Sequence, residues 1–237
     1  MTHTNNNDKT YINADGQRVM RVTEVIRKLS KDSIPFWANS LGFRGISYKK
    51  ELDRTANIGS MGHDVIEHFI TPGKLAIMDY EAYDISEAYD RIQANRMIHS
   101  IIKWIKSMRK KNKFEVIATE KVVVGKMLGG TIDCIIKGWD DPDKVIFVDW
   151  KSSGFYLSQF LQLAGYIIIY EELHGENTVE GVMVVASDKK TGEKAEAMYM
   201  PRKKMKPILH MFQSLFKTAY FDKVLEPVFP EMLTKIE

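Results

Sequence analysis

The sequence predicts an α/β fold in which a long helix, three strands, a second helix and a further strand follow one another, giving a central mixed sheet flanked by helices. Three observations predict it. Apolar residues recur at helical spacing over residues 49–70 and again over 86–111. Apolar β-like runs then occupy residues 114–124, 131–136 and 144–150, the last two flanking the polar turn Asp140-Asp141-Pro142-Asp143. Helical spacing returns over residues 157–174, ahead of another extended run at 179–187.

Taken in order, residues 1–8 are polar and expected to be disordered. Residues 10–19 read as a hairpin about Ala14-Asp15-Gly16. Thr23 is the expected cap of a helix running to about Leu29, and a second helix starts near Ser33 with Pro35 in its first turn. That helix carries Phe36, Trp37 and Leu41, with Trp37 expected in the core, and Gly42 and Gly45 can end it. Residues 1–48 therefore form a hairpin and helical extension, and residues 49–237 the core. On helix 49–70, Met61, Val65, Ile66 and Phe69 form the buried stripe, His63 and Glu67 share a face at i, i+4, and Gly59 and Gly62 allow a close backbone approach.

Thr71-Pro72-Gly73 breaks that helix. The helix over 86–111 presents Ala88, Ile92, Ile98, Ile101, Ile102, Ile105 and Met108 inward and ends in a basic run through Lys113, which suits either the helix dipole or a nucleic-acid backbone. Strand 114–124 contains Glu120. Helix 157–174 turns Phe160, Leu161, Ala164, Ile167 and Ile168 inward and stops at Gly175. Strands over 179–187 and 193–200 pair about residues 188–192, and Pro201 starts a last helix. Arg202, Lys203, Lys204 and Lys206 stand in its first turns, where cations oppose the dipole and a binding role is favoured.

The net charge of the 237 residues is only +3 and argues for no class of partner. The single cysteine, Cys134, excludes a disulfide framework and any four-cysteine zinc or iron–sulfur site. No stretch reaches the roughly 18 apolar residues of a membrane span. The segment MTHTNNNDK has neither the apolar region of a secretory signal nor the Arg-rich character of a presequence, so a cytoplasmic protein is expected.

Chemistry concentrates in residues 129–166. Asp149 and Lys151, two apart in a strand, share a face, with Trp150 opposite. Pairing of 131–136 with 144–150 brings Asp133 alongside Asp149. Asp133 sits among Ile132, Cys134, Ile135 and Ile136, where an unpaired charge is costly. Carboxylate oxygens in such a pair suit Mg²⁺ or Mn²⁺. Gln162 and Tyr166 lie four apart on the following helix.

The order Gly59-Ser60-x-x-His63-x-x-x-Glu67, then Gly130-x-x-Asp133, Asp149-x-Lys151 and Gln162-x-x-x-Tyr166 resembles the PD-(D/E)XK nuclease superfamily in its RecB-like branch, especially phage-type and mitochondrial genome-maintenance exonucleases. The resemblance implies the restriction-endonuclease-like αβββαβ core and metal-dependent exonucleolytic DNA cleavage in recombination, replication or repair. It implies Asp133, Asp149 and Lys151 as catalytic residues. One or two Mg²⁺ or Mn²⁺ ions would be held by His63, Asp133, Asp149 and the Trp150 carbonyl, with Glu67 and Glu120 as weak candidates. Gln162 and Tyr166 would orient DNA or support the site, and Arg54 and Lys203 are further DNA-contact candidates. The partner would be single-stranded DNA or a duplex with ends, with a single-strand-binding or annealing protein beside it, in a bacterial or phage-infected cell. A structure-specific or restriction-type endonuclease and a non-catalytic DNA-binding protein are the rival readings.

Overall fold

A computed structural model describes residues 9–29, 33–112, 114–137, 141–152 and 154–225. The polar segment 1–8, Asp140 of the expected turn and Lys113 of the basic run lie outside the described residues. The elements are β1 Tyr11–Ile12, β2 Arg18–Arg21, α1 Val22–Ile26, α2 Ser33–Phe43, α3 Tyr48–Ile70, α4 Ala88–Asn112, β3 Val116–Val124, β4 Leu128–Lys137, β5 Val145–Lys151, α5 Leu157–His174, β6 Val179–Ala186, β7 Glu196–Pro201, a 3-10 turn Arg202–Met205 and α6 Lys206–Leu225.

One sheet joins all seven described strands in the order β1-β2-β4-β5-β6-β7, with β3 also paired to β4. Pairs β3–β4, β4–β5 and β6–β7 are antiparallel, whereas β5–β6 is parallel because α5 forms the crossover between them. Helices cover both faces, as the expected mixed α/β sheet requires. Alternation along β5 divides its side chains. Phe147 packs with Val25, Leu161, Ile167 and Phe212 of α1, α5 and α6. Ile146, Val148 and Trp150 pack with Ile66, Ile101 and Ile105 of α3 and α4. A third cluster, including Ile58, Met61, Ala94 and Met97, locks α3 to α4 beyond the sheet.

Local chemistry differs from the sequence expectations in several places. Arg21, not Thr23, precedes the first helical residue, and the Glu24 carboxylate accepts the Arg21 backbone N–H at 3.1 Å and its guanidinium Nε at 3.0 Å. Trp37 is 39% exposed, because α2 docks through Leu41 and leaves the indole edge-on to Tyr48 at 5.3 Å. Gly62 meets Met97 closely, as expected, but Gly59 has nothing within 4 Å of its would-be Cβ and faces open space. Ala88 and Ile92 are exposed: the stripe of α4 that reaches α3 runs through Ala94, Met97, Ile98, Ile101 and Ile105, and Ile92 lies round the helix from it. Pro201 ends β7, and the 3-10 turn intervenes before α6.

Candidate active site

The site arises where β4 and β5 part. Their ladder stops at Cys134↔Val148. One step further, Asp133 and Asp149 stand opposite each other, and the Trp150 N–H donates to Asp133 Oδ2 at 3.1 Å. Because β3 lines one edge of β4 as far as Gly129, β2 and β5 must share the other edge, β2 at Leu128–Gly129 and β5 at Cys134–Lys137. The β4 edge over residues 130–133 is left to neither strand. Within a strand, N–H and C=O of one residue address the same edge, so the Trp150 carbonyl also faces this opening.

His63, from the middle of α3, places Nδ1 3.4 Å from Asp133 Oδ2. Glu120 comes from β3, in the position between Thr119 and Lys121, whose partners are Cys134 and Ile132, and thus beside Asp133. One ligand atom each from His63, Glu120 and Asp133 lies within 4.8 Å of the others. Glu120 has φ of +45°, a left-handed backbone that is rare for a side chain of this size inside a strand and stores strain. Burial, reinforced by the Asp133 charge, raises its carboxyl pKa to about 7.

Asp149 is 1% exposed. The Lys151 ammonium lies 2.8 Å from the Asp149 carboxylate and donates to its Oδ1. Burial pushes the Asp149 pKa up to about 7 against the pull of Lys151, with Asp133 adding to the rise. Burial alone would lower the Lys151 pKa, but Asp149 and Asp133 together outweigh it and raise it. Both effects describe one thing: two carboxylates crowded into a dry pocket with a single cation.

The floor of the site is α5. Gln162 donates to the Tyr166 hydroxyl at 2.8 Å. Tyr166 is only 3% exposed and lies against Gly130, where a Cβ would come within 2.4 Å of its ring. Tyr166 therefore supports β4 from beneath and also lines the small cavity at Asp133. Gln162 is half-buried and lines a small cavity of about 90 Å³ together with Tyr11, Arg21, Thr23, Glu120, Thr131 and Asp133.

Three expected site residues lie elsewhere. Arg54 is tied to Glu51, at 2.9 and 2.6 Å, and to Asp90, so its guanidinium is spent on the α3–α4 packing. Lys203 follows the Pro201↔Gly181 end of the sheet, whereas Asp149 and Lys151 pair with Val184 and Ala186; at about 3.3 Å per residue this separates the two ends by roughly 10–17 Å along the strands. Glu67 accepts from Lys74 at 2.7 Å and from the Thr119 hydroxyl at 3.4 Å, and stands outside the His63–Glu120–Asp133 group. Conversely, Tyr11, whose hydroxyl is 2.8 Å from Thr131 Oγ1, Arg21 and Thr23 wall the cavity and were missed, since nothing in their local sequence marks them.

The donor set fits a divalent cation. Imidazole nitrogen and carboxylate oxygens are the ligands such ions take, and His63, Glu120 and Asp133 bring one such atom each within 4.8 Å of the others. The site thus sets two acids and a lysine at the point where two central strands of a helix-flanked mixed sheet diverge. A family model, the PD-(D/E)XK nuclease superfamily, matches residues 36–234, and the chain belongs to that superfamily. No curated protein matches the chain. Among solved structures, one described as "Crystal structure of SSO0001" is 12% identical, covers 68% of this chain and 74% of its own, and superposes with a TM-score of 0.29. Among the described residues, no helix is long and apolar enough to cross a membrane.

Proposed function

We propose that this nuclease-superfamily chain is a divalent-metal-dependent DNA exonuclease that hydrolyses phosphodiester bonds at DNA ends, in recombination, replication or repair. The observation that carries the hydrolytic reading is the convergence of the His63, Glu120 and Asp133 ligand atoms within 4.8 Å, beside the buried Asp149–Lys151 pair. Removal of substrate from its ends, and a single-strand-binding or annealing partner, rest on the resemblance of the motif order.

Asp133, Asp149, His63 and Glu120 would hold one or two Mg²⁺ or Mn²⁺ ions, with the Trp150 carbonyl on the same strand edge. A bound ion supplies a Lewis acid toward a phosphate oxygen and a water of low pKa. The protein's own part is positioning and charge. Trp150 N–H orients the Asp133 carboxylate at 3.1 Å. Lys151, held by Asp149, offers a fixed ammonium to the charge that develops on the phosphate, or holds the attacking water. Gln162, whose amide donates to Tyr166, lines the cavity and can align the strand.

End-labelled single- and double-stranded DNA, incubated with Mg²⁺ or Mn²⁺, tests the reading. Wild type should shorten DNA from the labelled end. Asp149→Ala and Lys151→Ala should each lose activity by about 100-fold or more, the scale on which loss of one charge-stabilising group acts. Wild-type rates in both variants would remove these residues from the mechanism. Cleavage of covalently closed circles would replace the exonuclease by an endonuclease, and metal-dependent binding without turnover would leave a DNA-binding protein.

A further inference from the structure

Helix α2 is apolar on two opposite faces. Ile34, Trp37 and Leu41, at i, i+3 and i+7, form the stripe that holds it to the protein. Leu41 is buried, and the Trp37 indole meets Tyr48 of α3 at 5.3 Å. Phe36 and Phe43, also seven apart, lie on the other side of the helix and are 77% and 86% exposed. The residues Ser33–Phe43 include no charged side chain, and among the described ones only Leu41 is buried. A helix apolar all round belongs in a packed interior. One of 11 residues also has little stability of its own.

The chemistry of α2 selects what covers the outer ridge. The helix has about half the length of a membrane span and lacks the basic face of a helix that lies on a membrane. It offers no cation to a phosphate backbone. What suits it is another apolar protein surface, and its own copy fits. Near a two-fold axis each residue meets its own kind, so charges there repel, and α2 has none. Laid antiparallel on itself, the ridge is self-complementary. Phe36 packs beside the partner's Phe43 at one end, and Phe43 beside the partner's Phe36 at the other. Ser40 between the rings is small, and a Cβ on Gly42 would meet nothing within 4 Å. Both leave room for the helix axes to approach to about 8–10 Å. Covering the exposed parts of Phe36, Trp37 and Phe43 removes roughly 400 Å² from water, since an aromatic side chain offers about 150–250 Å². That is about half of the ~800 Å² that each partner of a stable dimer buries. Exposed Tyr48 and Leu52, one turn apart on α3 beside Trp37, extend the same surface.

We infer that the outer ridge of α2 is the centre of a two-fold contact with a second copy of this chain, with Ser40 next to the axis and Phe36 and Phe43 interleaved on either side of it. The inference does not depend on the nuclease reading. Ile34 and Pro35 of the same helix line a cavity of about 660 Å³ that also contains Lys151, so the contact steadies one wall beside each copy's acids.

The test is sedimentation of the full chain without DNA, from about 1 to 100 μM, the weak end of the range for interfaces of standard size. Wild type should approach twice the 27.3 kDa mass of the chain. Phe36→Ser/Phe43→Ser, which alters only side chains that stand in solvent, should raise the dissociation constant at least 100-fold and leave the melting temperature of the monomer unchanged. Ile92→Ser, an equally apolar exposed position on α4, should leave the mass of wild type unaltered. Ser40→Cys, oxidised with copper phenanthroline, should give a covalent dimer, while wild type should not, because its own Cys134 is buried. Wild type that stays at 27.3 kDa throughout overturns the inference. So does a dimer that survives the double serine variant and is not trapped by Ser40→Cys, since the copies then meet elsewhere. Monomeric wild type that binds oligothymidylate only when both rings are present overturns it too, and makes nucleic acid the occupant of α2.

Discussion

Glu120 holds an unfavourable backbone and an unfavourable charge at one position. Its φ of +45° and its pKa raised to about 7 by burial and by Asp133 both cost folding free energy. The folded pKa lies above the ordinary 4.5, so the cost of ionisation is absent below about pH 4.5 and complete above about pH 7. Glu120→Gln should therefore stabilise the metal-free protein, in chelator at pH 8, by on the order of 1–3 kcal/mol, and should gain little at pH 4. Chemical denaturation at the two pH values checks this, and the same variant should bind Mn²⁺ more weakly. Asp149 and Lys151 were legible because strand parity puts them on one face, and Asp133 because the hairpin of residues 131–136 and 144–150 brings it alongside. Glu120 was only weakly so, because its place beside Asp133 depends on the β3–β4 register, which lies in the pairing and not in the local sequence. Arg54 misled in the opposite sense. Its partners are Glu51, one turn before it, and Asp90 on another helix, and the second contact exists only in the fold.

At the scale of elements, α5 shows how close packing serves the site. Gly165 faces Phe212 of α6 and Val22 of α1, and a Cβ there would come within 2.7 Å of each ring or methyl carbon. Gly165→Ala gains about 0.5–1 kcal/mol of helix propensity but incurs about 1–3 kcal/mol of overpacking. The net expectation is a loss of roughly 1–2 kcal/mol and a melting temperature lower by several degrees, measurable by calorimetry. Helix positions along α3, α4 and α5 were readable from apolar periodicity. The inward faces of α2 and the start of α4 were not. Periodicity shows that a helix has an apolar stripe, but not whether a neighbour extends far enough to cover it. That is why Trp37 and Ile92 stand in solvent.

For the molecule as a whole, the sheet can be read as two halves that meet at β4 and β5 and separate at their carboxylates. A cation shared by groups on α3, β3, β4 and β5 would tie those elements together. Ligand linkage then raises stability by about 2.7 kcal/mol at 100 times the dissociation constant. Mn²⁺ should raise the melting temperature of wild type and leave that of Asp133→Asn unmoved, whether or not DNA is present; an equal shift in both would mean that the ion binds elsewhere.

The N-terminal hairpin has one more implication. The superfamily match begins at residue 36, but Tyr11, Arg21 and Thr23 come before it and β2 pairs with β4. A chain trimmed back to the shared portion would retain His63, Glu120, Asp133, Asp149 and Lys151 while losing a roof beam and baring a sheet border ready to stick to its neighbours. Such a stump should still titrate manganese, but it should lose its grip on oligonucleotides and clump in solution.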